Sequence, residues 1–166
     1  KKIKFVFLGH LNKRKRPDLL VNKFANFKNE NVSLEIVGDG PLYPKLKKII
    51  EQNKLKNKVH LHGFLENPYN VLANSDILIL PSFSEGTSRA VLEALHLGLI
   101  CIITDVDGNR ELFKLFSKIV LIDKNSDIMN SMKKAINLAS KCKSRESNLP
   151  LKHRQKNASK EFIKLK

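Results

Sequence analysis

The chain has 166 residues, 42% of them hydrophobic, with 31 Lys and Arg against 16 Asp and Glu for a net charge of +15. That size and apolar content suit one globular domain with a sizeable core. With only Cys101 and Cys142 there is no disulfide framework, and no apolar span of 18 residues suggests a membrane helix.

Strand and helix signals alternate along the chain. Ile3 to Leu8 reads as a strand ending at Gly9, and the basic loop His10 to Arg16 follows. Pro17 opens a helix carrying Leu19, Leu20, Phe24 and Phe27, with Pro in the first turn where its missing N–H costs nothing. Val32 to Val37 is the second strand, ending in Gly38-Asp39-Gly40-Pro41, a turn that its two glycines explain. Tyr43 to Gln52 is a helix, Val59 to Leu61 a short strand ending at His62-Gly63-Phe64, and Pro68 to Ala73 a short helix. Ile77 to Leu80 is a buried strand leading into Pro81-Ser82-Phe83-Ser84-Glu85-Gly86, and a helix runs from about Thr87 to Leu97, ended by Gly98. Ile100 to Ile103 is the next strand, its loop reaching Asn109, with a helix over Arg110 to Phe116. Ile119 to Ile122 is a strand, and Asp127 to Lys141 an amphipathic helix with Ile128, Met132, Ile136 and Ala139 on one face.

Short apolar strands alternating with helices predict an α/β domain, a Rossmann-like, doubly wound parallel sheet of six strands with helices on both faces. Such sheets bind ligands at the C-terminal ends of their strands, where the Gly-rich loops of this chain collect. Residues 1–142 are assigned to this domain. Residues 143–166 are assigned to a polar linker and a basic, weakly amphipathic helix. The opening Lys1-Lys2, without Met, reads as the start of a piece of something longer. Cys101, inside the apolar run Leu99 to Ile103, is expected to be a buried thiol, which fits a reducing, cytoplasmic setting.

The charge has two specific explanations, nucleic acid and an anionic membrane surface. Abundant, scattered Lys and Asn explain most of it more simply. No RNP-like aromatic motif, zinc finger or helix-turn-helix is present, so no specific nucleic acid is expected. His10, His60, His62, His96 and His153 show no zinc spacing, and no metal is expected.

The stretch around Glu85 carries the chemistry. A helix N-terminus with unpaired N–H groups attracts phosphate, Gly86 admits a ligand to the backbone, and Thr87 or Ser88 can cap. Glu93 lies roughly 9 Å along the axis, at ~1.5 Å per residue. A diphosphate at the helix start would therefore have one substituent beside Glu85 and the other beside Glu93, both acceptors suited to vicinal hydroxyls. A nucleoside diphosphate sugar has that layout. The plainer alternative is a capping Glu85 and a Glu93 paired with Arg89 one turn back. For the basic loop the corresponding alternatives are phosphate binding and simple solvation.

Glu85 and Glu93, with Gly86, Leu92 and Ala94, resemble the E-x7-E signature of retaining GT-B fold glycosyltransferases, in particular the large family 4, also described as glycosyl transferases group 1. The resemblance covers roughly residues 3 to 125 and corresponds to the C-terminal, donor-binding half of such an enzyme. It implies a donor site with Lys15 and Glu85 as catalytic residues. Gly9, His10, Arg14, Lys15, Gly63, Phe64, Glu85, Gly86, Thr87, Ser88 and Glu93 would hold the donor. Relatives place an Arg just after the first strand's Gly, where His10 stands here. That departure shifts a share of the role onto Arg14 or Lys13, since the charge of a His is not fixed at neutral pH. His62-Gly63-Phe64 resembles the loop that meets the nucleobase, though Phe64 also suits packing. Thr104-Asp105-Val106-Asp107-Gly108-Asn109-Arg110-Glu111 resembles the family's T-D-x-G-G-x-x-E segment, with Asp107 in place of the first Gly.

The resemblance further implies a sugar-nucleotide donor, uridine diphosphate before guanosine diphosphate, no metal cofactor, and a glycan or lipid-linked acceptor. An N-terminal acceptor-binding domain is expected in the full-length chain, without which this piece transfers little. Peripheral contact with an anionic membrane, at the inner face, is an option the charge allows. The competing reading is a non-catalytic basic module that binds nucleic acid or another polyanion. A nicotinamide dinucleotide domain is disfavoured because the first strand lacks G-x-G-x-x-G.

Overall fold

The computed structural model describes residues 2–86, 88–122 and 127–141. Thr87, Cys142, His153 and the assignment of 143–166 lie outside the described residues. The elements are β1 (Ile3–Leu8), α1 (Pro17–Ala25), β2 (Val32–Val37), α2 (Tyr43–Gln52), β3 (Val59–Gly63), α3 (Tyr69–Ala73), β4 (Ile77–Leu80), α4 (Arg89–His96), β5 (Ile100–Thr104), α5 (Asp107–Leu115), β6 (Ile119–Ile122) and α6 (Ile128–Lys141).

The six strands form one sheet in the order β3-β2-β1-β4-β5-β6, and every pairing is parallel. This is the doubly wound Rossmann-like arrangement expected from the alternation. β4 and β5 are buried along their whole length, as apolar strands covered on both faces should be. Phe5 and Phe7 of β1, Leu34 and Ile36 of β2 and Ile77–Leu80 of β4 are almost wholly out of solvent. Phe24 of α1 meets Phe5 edge-on, with ring centroids 6.0 Å apart and planes at 78°. α1 packs beside α2 and α6, and α6 also lies on β5 and β6. Cys101 is buried and free, and burial pushes its thiol well above the usual range. Among the described residues no helix is long and apolar enough to cross a membrane.

Expected boundaries are corrected, with β3 running on to Gly63 and two helix starts moving beside the crevice. α4 begins at Arg89, because Ser88 is still extended at φ −78 and ψ 114. α5 begins at Asp107, three residues before the expected Arg110. Asp, Gly and Asn look like a loop in sequence. Here the N–H groups of Asn109 and Arg110 both reach Val106 O, at 2.8 and 3.1 Å, and close a helical turn.

The strand order reverses between β1 and β4. The chain leaves β1 towards β2 on one side and β4 towards β5 on the other, so the loops after β1 and β4 diverge above a crevice. That is the position of the candidate site.

Candidate functional site

Two segments distant in sequence meet over the crevice. In the loop after β1, Asn12 Oδ1 accepts from Lys15 N at 3.0 Å, which fixes the turn. The Lys15 side chain runs back past Gly9, where an added Cβ would come within 3.7 Å of Lys15 Cε. Its ammonium reaches Glu85 Oε1 at 2.5 Å. Arg14 donates to Ser84 O at 2.9 Å and stands 3.4 Å from Glu85 Oε2. The main chain repeats the link, with Phe83 N donating to Arg14 O at 2.7 Å.

The Glu85 side chain is 6% exposed and that of Lys15 13% exposed. A carboxylate that far out of water needs compensation, and two cations supply it. One negative and two positive charges leave a net positive site. Beside it α4 begins. Among the described residues its first ladder bond runs from Leu92 N to Ser88 O, and the leading N–H groups of a helix have no acceptor within it. Cations and free N–H groups together favour an anion.

The capping alternative for Glu85 is not what the structure shows, since Lys15 and Arg14 hold its carboxylate. Thr87 or Ser88 was expected to cap, and Thr87 lies outside the described residues. Ser88 is the N-cap, but its hydroxyl makes no capping bond.

Glu93 sits about one turn along α4 and is half-buried. Tyr69 OH of α3 donates to its Oε1 at 3.3 Å. Burial raises the Glu93 pKa, while the Tyr69 hydrogen bond and the charge of Arg89 pull it down. Asn67 Oδ1 accepts from the Tyr69 N–H at 3.1 Å, while the Tyr69 hydroxyl serves Glu93.

Gly108 secures the loop from the β5 side. A Cβ there would lie 2.6 Å from Glu85 O and from the Gly86 carbonyl, so only glycine allows α5 to start against this loop. Gly86 has open space where its own Cβ would be. Gly38 plays the matching part below the first loop. It is at φ +137, and a Cβ would fall 1.9 Å from Gly9 O. The Gly38-Asp39-Gly40 turn therefore supports the loop after β1. Gly40 also lies under the ring of the exposed His10, whose Cε1 would meet a Cβ at 2.9 Å.

The β3 end contributes differently. Gly63 O accepts from Gly38 N at 2.8 Å, and His62 is bound to Glu35 Oε2 at 2.7 Å. Phe64 does not pack, being 76% exposed. Phe83, not singled out in the sequence, is 74% exposed in the loop before Glu85. Asp105 is held by Arg110 at 2.6 Å. Among the described residues no group of three His, Cys, Asp or Glu side chains is placed to bind a metal. A cavity of about 560 Å³ lies on the β4–β6 side, lined by Pro81, Phe83, Thr104 and Val106 among others, but not by Lys15 or Glu85.

Comparison with known proteins shows the family and the fold. Residues 1–162 match the family model described as glycosyl transferases group 1. An uncharacterized glycosyltransferase of Methanocaldococcus jannaschii is 37% identical over 111 residues, 65% of this chain and 27% of its own length. An N-acetylgalactosamine-N,N'-diacetylbacillosaminyl-diphospho-undecaprenol 4-alpha-N-acetylgalactosaminyltransferase of Campylobacter jejuni is 33% identical over 136 residues, 80% of this chain and 37% of its own length. Among solved structures, Anabaena HepE in complex with UDP and glucose superposes with a TM-score of 0.73 at 19% identity, over 89% of this chain and 41% of HepE. The chain thus spans about a third of the length of these curated relatives.

Proposed function

The chain belongs to the glycosyl transferases group 1 family, and from that premise we propose that it is the donor-binding half of a retaining GT-B enzyme of family 4. The donor is a nucleoside diphosphate sugar, with uridine diphosphate the favoured carrier. One observation carries the reading. The Lys15–Glu85 pair joins the two loops that flank the strand-order reversal, beside the open N-terminus of α4.

Lys15 and Arg14, with the backbone from Gly86 to Ser88, bind the diphosphate, and His10 stands at the rim. As the bond between the anomeric carbon and the β-phosphate oxygen breaks, its electron pair goes to the diphosphate. These fixed positive groups stabilise that growing charge. Glu85 orients the sugar, and its carboxylate favours positive charge at the anomeric carbon. Glu93, aimed by Tyr69, accepts from the ribose hydroxyls. Gly63 and Phe64 lie along the base. Positive charge at the diphosphate comes from side chains and a helix terminus, so the reading asks for no metal.

The Campylobacter relative is named for an acceptor linked to diphospho-undecaprenol, and HepE is seen with UDP and glucose. These names support a lipid-linked or glycan acceptor and a UDP-sugar donor here. The acceptor side would be supplied by an N-terminal domain of the full-length protein. A cytoplasmic placement at the inner face of a membrane fits the free, buried Cys101 and the acceptor class.

Calorimetric titration with UDP, GDP and ADP, alongside Glu93→Ala, tests the proposal. Saturable one-to-one binding of one nucleotide, weakened by the substitution, supports it. No response to any of them, with salt-sensitive binding of RNA or DNA, favours the polyanion module instead.

A further inference from the structure

The outward side of α2 and the turn after it carry Lys45, Lys47, Lys48, Lys54, Lys56 and Lys58, with Glu51 the one carboxylate between residues 45 and 58. α2 turns Leu46, Ile49 and Ile50 inward, so its other side chains face solvent. Three of the lysines have acidic partners. Lys45 meets Asp18, Lys56 meets Glu51 and Lys58 meets Glu30. Lys47, Lys48 and Lys54 are exposed, and no described carboxylate lies within salt-bridge reach of them.

The patch is not a uniformly charged helix face. Between α2 and the edge strand β3 runs an open groove of about 370 Å³. Tyr43, Ile50, Val59 and Leu61 line it together with His60, Lys47 and the Lys56–Glu51 pair, so its unpaired charge is that of Lys47. The exposed ammonium groups of Lys47, Lys48 and Lys54, on long stems beside a partly apolar groove, match a layer of anionic headgroups.

We propose that the α2–β3 flank is the surface by which this domain rests on an anionic phospholipid bilayer. The inference rests on the reading of a lipid-linked acceptor given above. The donor crevice opens at the C-terminal edge of the sheet, and α2 with β3 forms one side of that sheet. A domain lying on this flank keeps its donor mouth open sideways along the membrane surface, where a lipid-linked acceptor arrives. Lys15 and Glu85 take no part in the contact, so membrane binding and nucleotide binding are separable.

Sedimentation of the chain with phosphatidylcholine vesicles, with and without phosphatidylglycerol, tests this at about 0.1 M salt. The expected result is binding to the anionic vesicles alone, weakening as salt rises. Each lysine near an anionic surface is worth about fivefold. Reversing three of them (Lys47→Glu, Lys48→Glu, Lys54→Glu) is therefore expected to lower the partition coefficient by on the order of a hundredfold or more. The control reverses Lys114, Lys133 and Lys134, all exposed and on other helices, and changes net charge equally. It is expected to keep most of the binding.

Equal loss in both triple variants would overturn the proposal, because total charge and not this flank would then be responsible. No binding to anionic vesicles would overturn it too. So would tighter binding to RNA than to anionic vesicles, lost in the α2 variant. UDP titration of the same samples separates this from the donor reading, which fails only if the unsubstituted chain binds no nucleotide.

Discussion

Lys15 Nζ lies 2.5 Å from Glu85 Oε1, across 70 residues of sequence, and the pair bridges the two loops that diverge from the strand-order reversal. The two residues belong to one site. Removing either has an unequal effect on fold and on ligand.

Lys15→Met leaves a nearly buried carboxylate with Arg14 alone, at 3.4 Å. Stability in urea is expected to fall by about 1–3 kcal/mol, less than for an uncompensated buried charge because Arg14 remains. UDP affinity falls with it. Glu85→Gln removes the negative charge and frees Lys15, so UDP is expected to bind at least as tightly as before. Calorimetry with UDP and a UDP-sugar checks the contrast, since only the sugar nucleotide should lose affinity.

Glu93 makes stability depend on pH with a definite sign. Burial raises its pKa in the folded chain, so its protonated form is favoured there. The stability it contributes is full below the ordinary glutamate range and is lost as pH rises through the folded value. Glu93→Gln is therefore expected to melt higher than the unsubstituted chain at neutral pH, with the difference closing at acid pH. UDP affinity should drop in the same variant. Thermal melts across pH, paired with calorimetry, read both effects.

Two glycines on opposite sides of one contact should behave differently. Gly108→Ala forces a Cβ to 2.6 Å from Glu85 O and displaces the loop. A cost of about 1–3 kcal/mol, as for other overpacking, and loss of UDP binding are expected. Gly86→Ala meets open space, so its melting temperature should hold while nucleotide affinity falls.

Phe64 is mostly exposed, and Phe64→Ala is expected to leave stability within about 0.5 kcal/mol. Loss of a stacking surface should weaken nucleotide binding by about 1–3 kcal/mol. A calorimetric titration that shows no change would move the base away from β3.

Much of this was legible in sequence because the physics is local. Apolar runs such as Ile77–Leu80 announce buried parallel strands, and their alternation with helices sets the doubly wound sheet. Glu85 and Glu93 stood out by type and spacing, whereas Arg14 and Lys15 stood out as a basic run whose role the family resemblance implied. Their pairing did not stand out, because β1 and β4 are neighbours only through the strand order. The Tyr69–Glu93 bond was hidden for the same reason, as it joins α3 to α4. The early start of α5 was misread because Asp107-Gly108-Asn109 has the composition of a turn, whereas Gly108 is there for its contact with Glu85 and Gly86. Phe83 had one local signal, an aromatic residue between two serines in a loop.

The central claim is that the loops after β1 and β4 form one anion-binding site for a nucleoside diphosphate. Amide chemical shifts of the isotopically labelled chain, followed as UDP is added, test it most directly. The account predicts saturable shifts concentrated at Gly9, Arg14, Lys15, Gly86 and Ser88 to Val91, with smaller ones near Glu93 and Phe64. Shifts confined to other surfaces, or none at saturating UDP, would contradict it.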